Sequence, residues 1–275
     1  MRIVLLDQKT LGDDLNLDCL NSFGEVTLFP TTNDKETKSR IENAQIIITN
    51  KVVITKELMQ QAPQLKLICV AATGTNNVDL QAAKELGIEV KNVAGYSTPS
   101  VVQHTFAMMF YLLERLEYYN RAVKSRAWSQ SGLFTDISQP FYEIAGKKWG
   151  IIGLGTIGKE VAKVAESFGA TINYYSTSGN NLINDYHHCD IETLFKECDI
   201  ISIHCPLNEQ TYNLINQSNL KYLKKGAILL NLGRGGIINE EDLANAIDHQ
   251  DIYVGLDVLN EEPIKESNPL FSVSN

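Results

Sequence analysis

Short apolar runs alternate with amphipathic segments along almost the whole chain. Strand candidates in the first third are Arg2–Leu6, Gln45–Thr49, Leu67–Val70 and Glu89–Asn92. A second series reads Trp149–Ile152, Thr171–Tyr175, Ile200–His204, Ala227–Leu232 and Ile252–Val258. Segments with helical spacing lie between them, such as Leu80–Leu86, which stops at Gly87. Strands separated by helix-sized connections predict parallel sheets covered by helices, an α/β architecture. The pattern changes near residue 98. Ser100–Arg115 is strongly apolar and free of Gly and Pro, long enough for a buried helix, and Thr98-Pro99 suits its first turn. A polar, irregular stretch follows from Ser125 to Ile144. His187 and His188 read as loop residues, and His249 closes a helix. The closing NPLFSVSN forms neither a helix nor a complete strand.

The length of 275 residues suits two domains of ordinary size. We place them at 1–98 and 99–275. Hydrophobic residues make up 44%, enough to build cores and to exclude disorder as the main state. No apolar run reaches the roughly 18–20 residues of a membrane span. The net charge of −9 argues against broad binding to nucleic acid or an anionic membrane, while leaving room for a small anion held by a local cation. The cysteines Cys19, Cys69, Cys189, Cys198 and Cys205 are odd in number and irregular in spacing, with no CxxC. They read as reduced, buried thiols of a cytoplasmic protein, and no metal site is expected.

The sharpest motif is Gly153-Leu-Gly155-Thr-Ile-Gly158. Alone it is weak, but an apolar strand leads in and an amphipathic helix leads out, with Ile157, Val161, Val164, Ala165 and Phe168 on one face. Gly153 permits the tight turn, Gly155 lets a pyrophosphate approach the backbone, and Gly158 lets helix pack closely on strand. The anion then meets a helix N-terminus. The next strand should end in an acid for the adenosine ribose; Ser176 stands there instead. Without a carboxylate a 2′-phosphate is not repelled, and no Arg or Lys follows to attract one, so the cofactor is NAD or NADP. Downstream, Arg234 sits between glycines in NLGRGG at a strand end, where a guanidinium can hold a carboxylate bidentately and polarise a neighbouring carbonyl. It could also be a plain surface arginine. Asp257 and Glu262 follow the next strand in GLDVLNEEP, where a solvated loop is an equal alternative.

Taken in order, ATGTNNVDLQAA, GYSTPSVVQHTFAMM, EIAGKKWGIIGLGTIG, SIHCPLNEQT, NLGRGGIINEEDL and GLDVLNEEP resemble the D-isomer-specific 2-hydroxyacid dehydrogenases over essentially the full chain. TNKVVIT and GYSTPSVVQHT are most similar to the glycerate dehydrogenase (hydroxypyruvate reductase) branch. The resemblance implies two Rossmann-like or flavodoxin-like domains, substrate domain first and NAD(P) domain second, with cofactor and active site in the cleft between them. It implies that Arg234 binds the substrate carboxylate, that Glu262 pairs with a catalytic His, and that Thr73, Gly74 and Thr75 offer backbone N–H groups to the substrate. Thr105, Gly153, Gly155, Thr156, Ile157, Gly158, Ser176, Cys205, Pro206, Thr211, Leu232, Gly233 and Asp257 would line the dinucleotide. The reaction implied is hydride exchange between a small 2-keto acid of the hydroxypyruvate or glyoxylate type and its D-2-hydroxy acid, in a cytoplasmic homodimer.

Three departures stand out. Gln103 replaces the acid usual before His104, Ser176 replaces the ribose acid, and the family's catalytic His belongs to a Pro-His pair one strand further on. None of His104, His187, His188, His204 and His249 matches it. The expectation is therefore a chain that stops short of that His, of the last cofactor-sheet strand and of the return to the first domain, with turnover lowered roughly 10²–10⁴-fold. A non-catalytic, dinucleotide-sensing or corepressor-like protein on the same scaffold is the alternative. A methyltransferase-type nucleotide site explains neither Arg234 nor Glu262.

Overall fold

The computed structural model describes residues 1–179 and 185–273. The chain divides into two compact units, Met1–Ser97 and Thr98–Asn275.

In the first unit β1 (Arg2–Leu5), β2 (Glu25–Leu28), β3 (Ile46–Thr49), β4 (Leu67–Val70) and β5 (Glu89–Asn92) form a five-stranded parallel sheet in the order β2-β1-β3-β4-β5. This is the flavodoxin-like order, with its switch point between β1 and β3. The helices α1 (Asp34–Ile41), α2 (Lys56–Gln60) and α3 (Leu80–Glu85) start at Asn33, Thr55 and Asp79. Each of these caps accepts hydrogen bonds from the first-turn amides, as free donors at a helix start require. The core joins Val4, Leu6, Ile47, Ile68 and Val70 of the strands and their extensions to Ile41, Met59 and Ala82 of the helices.

The second unit opens with three helices, α4 (Thr98–Leu113), α5 (Leu116–Lys124) and α6 (Ala127–Ser131). Its strands are β6 (Lys148–Ile152), β7 (Thr171–Tyr175), β8 (His187–His188), β9 (Ile200–Ile203), β10 (Ile228–Asn231) and β11 (Tyr253–Leu256). Among the described residues they form a six-stranded parallel sheet in the order β11-β10-β9-β6-β7-β8. That is the Rossmann order, switching between β6 and β9. Neighbouring residues of one strand enter opposite cores. Ile151, Ile200 and Leu230 pack with Phe106 and Met109 of α4 and with Val161 and Ala165 of α7 (Thr156–Ser167). Ile152, Ile201 and Leu229 pack with Leu194 and Phe195 of α8 (Ile191–Glu197), Leu220 of α9 (Gln217–Leu220) and Leu243 and Ile247 of α10 (Glu240–His249). The period-2 alternation of an extended strand thus serves two helix layers.

Four expectations need correction. His187 and His188 pair with Asn173 and Tyr174 as a short edge strand, not a loop. Pro269–Ser272 forms one turn of 3-10 helix, capped by the Asn268 side chain on the Leu270 amide at 3.0 Å; Ser274 and Asn275 lie outside the described residues. The apolar helix α4 buries only the stripe of Thr105, Phe106 and Met109 and leaves Tyr111 exposed. Of the thiols, Cys189, Cys198 and Cys205 are buried, whereas Cys19 is exposed and Cys69 half-buried.

Candidate active site

The glycine-rich turn joins β6 to α7 at the switch point of the second sheet. Gly153 has φ +94°, and a Cβ there would stand 2.7 Å from the Cys205 amide nitrogen. That position therefore admits only glycine, both for its backbone and for the approach of the loop after β9. Gly155 caps α7 in extended conformation, and a Cβ on it would meet nothing within 4 Å. Gly155 stands at the first amides of a helix of twelve residues, an arrangement that can hold a diphosphate. Beyond β7, Ser176 is buried and its Oγ has no hydrogen-bond partner among the described residues. A buried hydroxyl left in this way suits a ribose hydroxyl or a phosphate oxygen. The glycine turn and Ser176 both fit a dinucleotide, without preference for NAD or NADP.

The other candidates gather at the carboxyl ends of the same strands. Cys205 and Pro206 follow β9; Pro206 is exposed, Cys205 buried. Thr211 is buried and donates its hydroxyl to the Pro206 carbonyl at 2.7 Å, fixing that loop. Leu232 is buried, and Gly233 and Arg234 follow it after β10. Asp257 follows β11, and its carboxylate lies 3.2 Å from Nε2 of His104. Thr105 is fully buried within α4 and its hydroxyl donates to the Val101 carbonyl at 2.7 Å.

Arg234 is exposed, with Nη1 donating to the Gly233 carbonyl at 2.8 Å. The turn carrying it is clasped by Asn231, a buried side chain that the sequence reading missed. Its Oδ1 accepts the Gly233 amide at 3.1 Å and its Nδ2 donates to the Arg234 carbonyl at 3.0 Å. The only signal was an Asn at the end of an apolar strand. Gly235 backs directly onto the Leu259 carbonyl, leaving no room for a side chain. Glu262 holds that same segment: its Oε1 accepts the Leu259 amide at 3.1 Å. Arg234 and Glu262 are thus linked through Leu259.

In the first unit Thr73, Gly74 and Thr75 lie past the carboxyl end of β4. Thr73 is fixed by Asn92, whose Nδ2 donates to its carbonyl at 2.6 Å, and by its own hydroxyl, which donates to the Val93 carbonyl at 3.2 Å. The amides of Gly74 and Thr75 meet no acceptor among the described residues. Two adjacent free donors at a sheet edge make a seat for an anion.

His204 ends β9. Both ring nitrogens are buried without a hydrogen-bond partner among the described residues, and burial pushes its pKa down to about 3. It is a neutral imidazole at physiological pH. Burial also pushes the Cys198 and Cys205 thiols up to about 12.

A flavodoxin-ordered sheet, a Rossmann-ordered sheet and an arginine turn at the carboxyl ends of the latter define a dinucleotide-dependent α/β protein. Residues 106–275 match the NAD binding domain of the D-isomer specific 2-hydroxyacid dehydrogenases, and residues 4–188 match their catalytic domain; the chain belongs to this family. It is 34% identical to a hydroxypyruvate reductase of Blautia hydrogenotrophica, over 100% of this chain and 88% of that protein. It is 36% identical to a glycerate dehydrogenase of Methylorubrum extorquens, over 98% of this chain and 84% of that one. Among solved structures, an acyclic imino acid reductase in complex with NADPH and D-Arg superposes with a TM-score of 0.88 at 27% identity, covering 99% of this chain and 87% of that one. An NAD-dependent formate dehydrogenase from Staphylococcus aureus in complex with NAD gives 0.82 at 27% identity, covering 99% and 86%.

Proposed function

We propose that this protein interconverts a small 2-keto acid of the hydroxypyruvate or glyoxylate type and the corresponding D-2-hydroxy acid, with NAD or NADP. The observation that carries the reading is Arg234, held by Asn231 at the carboxyl edge of a Rossmann sheet that also carries the glycine turn. Gly155 and the first amides of α7, at Thr156 and Ile157, hold the diphosphate. Ser176 takes the adenosine ribose. Pro206 and Asp257 complete the dinucleotide's wall, with Cys205, Thr211 and Leu232 packed beneath. A bound reduced dinucleotide supplies the hydride. Arg234 fixes the keto acid's carboxylate and draws electron density from its carbonyl, so the substrate is oriented before reaction. In the first unit, the free amides of Gly74 and Thr75 suit an anionic group of the substrate. Glu262, through Leu259, keeps the Arg234 turn in place and is the acid that would support a proton-donating imidazole. His204 cannot be that donor, because it stays neutral and enclosed.

The reading extends to a cytoplasmic homodimer. Three thiols are sealed in the core without disulfides, as suits a reducing compartment. No helix among the described residues is long and apolar enough to cross a membrane. The segment after α5 leaves Phe134 93% and Ile137 81% exposed, with Trp128, Leu133 and Phe141 exposed beside them in sequence. So much aromatic and aliphatic surface supports burial against a second copy.

The test follows the fluorescence of NADH and NADPH on titration with protein, then the loss of reduced dinucleotide on addition of hydroxypyruvate, glyoxylate and related 2-keto acids. Binding followed by substrate-dependent oxidation is expected. Binding with no oxidation across the panel supports a dinucleotide sensor instead, and failure to bind either dinucleotide overturns the reading.

A further inference from the structure

In a sheet of order 2-1-3-4-5 the ligand crevice opens at the carboxyl ends of β1 and β3. Here a side chain of the protein occupies that position. Asp7, two residues past β1, is 3% exposed. Its carboxylate accepts the Asn50 amide at 3.0 Å, the Lys51 amide at 2.6 Å, the Val52 amide at 3.2 Å and the Thr49 hydroxyl at 3.4 Å. Three successive amides turned on one anion form a nest. None of the ion pairs among the described residues includes Asp7. A buried carboxylate is costly to desolvate unless hydrogen bonds replace its water, and these four donors do so.

The loop gripped by Asp7 is tied in turn to the loop after β4. Asn77 Nδ2 donates to the Val52 carbonyl at 3.1 Å and to the Asn50 carbonyl at 3.5 Å. The Ile54 amide donates to the Asn77 carbonyl at 2.7 Å, and the Asp79 amide to the Ile54 carbonyl at 3.1 Å. The Val78 amide closes back on Thr75 at 3.0 Å, while Asn92 holds Thr73 on the other side. The free amides of Gly74 and Thr75 therefore stand between two clamps, one of which leads to Asp7.

We propose that Asp7 is a positioning residue for substrate binding. It sets the Asn50–Val52 loop, through Asn77, so that the Gly74 and Thr75 amides face the keto acid's carboxylate. It also fills the nest at the switch point with the chain's own anion, so that the substrate's carboxylate takes the next free donors instead. The inference rests on the reading of Gly74 and Thr75 as part of the substrate site.

The test compares the native chain, Asp7→Asn and Asn77→Ala, with hydroxypyruvate titrated calorimetrically into protein saturated with the oxidised dinucleotide, a pair that cannot turn over, and with NADH titrated separately. Asparagine keeps the shape but turns an N–H₂ group towards the amides. Asp7→Asn is expected to weaken hydroxypyruvate about tenfold while leaving the NADH Kd unchanged. Asn77→Ala should act in the same direction, less strongly. Amide exchange at 50–52 and 73–77 should quicken in both. A folded Asp7→Asn protein with the native hydroxypyruvate Kd, or with equal losses for both ligands, overturns the proposal. If Asp7→Asn fails to fold, an unchanged hydroxypyruvate Kd in Asn77→Ala overturns it. If the native chain binds NADH but no 2-keto acid, the substrate reading itself fails and this inference with it.

Discussion

The carbonyl oxygen of Gly153 stands where a Cβ on residue 158 would have to go. Helix α7 can lie this close to the end of β6 only because residue 158 has no side chain. Gly158→Ala should lower stability by about 1–3 kcal/mol through overpacking. Gly155→Ala points into open space and should leave the melting temperature nearly unchanged while weakening NADH binding, because the new methyl occupies the diphosphate's place. Thermal unfolding and NADH fluorescence titration of the two variants separate these effects. Equal behaviour in both assays would count against the assignment of the turn.

Arg234 is exposed and contributes little to folding, so Arg234→Lys should melt like the native protein. Its hydroxypyruvate affinity should fall by roughly tenfold or more, since an ammonium cannot reproduce the guanidinium's paired donors. Calorimetry in saturating oxidised dinucleotide, where no turnover occurs, checks this, and an unchanged affinity removes Arg234 from the substrate site.

The buried imidazole of His204 makes stability depend on acidity. In the unfolded chain a histidine titrates near its ordinary value of about 6.5. In the folded chain burial holds it at about 3. Between these values the unfolded state binds the extra proton. The folded state's advantage is therefore complete above about 6.5 and declines as pH falls towards 3. His204→Gln should shrink the loss of urea resistance between neutral pH and about pH 5, and an identical loss in both proteins would refute the assignment.

Thiol chemistry should sort the cysteines by enclosure. Cys189, Cys198 and Cys205 are buried, with pKa values pushed up to about 11, 12 and 12 by that burial. Iodoacetamide near neutral pH should label Cys19 first and these three only after denaturation, as read by mass spectrometry of peptides. Early labelling of Cys205 would mean that the loop after β9 opens.

The exposed aromatic segment carries the dimer proposal. Phe134→Asp with Ile137→Asp should leave folding intact and shift the mass measured by light scattering from two chains to one. A native protein that is already monomeric would reject the proposal.

Much of the fold was legible because the inner strands are short apolar runs, β6, β9 and β10 buried on both faces and β3 and β4 alternating buried with half-buried residues. Runs such as IIIT, LICV, KWGII and ILLN cannot be mistaken for surface. The elements that escaped notice sit at edges. β2 has no buried residue and β8 only two residues, both exposed, so neither shows an apolar signature. The glycine turn and Arg234 could be read locally, because a turn's chemistry lies in consecutive residues. Asp7 and Asn231 could not. Asp7 acts on amides more than forty positions away, and its role emerges only when β1 and β3 lie side by side. Glu262 was legible as an important acid, but its contact with its own loop was not.

The way Ile151 and Ile152, or Leu229 and Leu230, serve opposite cores bears on how the gene can vary. Deleting one codon inside β6 or β10 would exchange both faces at once and send every following side chain to the wrong layer. Lineages of this protein can therefore change length only in the connections, such as the run between α6 and β6. Within the strands they must drift by replacement alone.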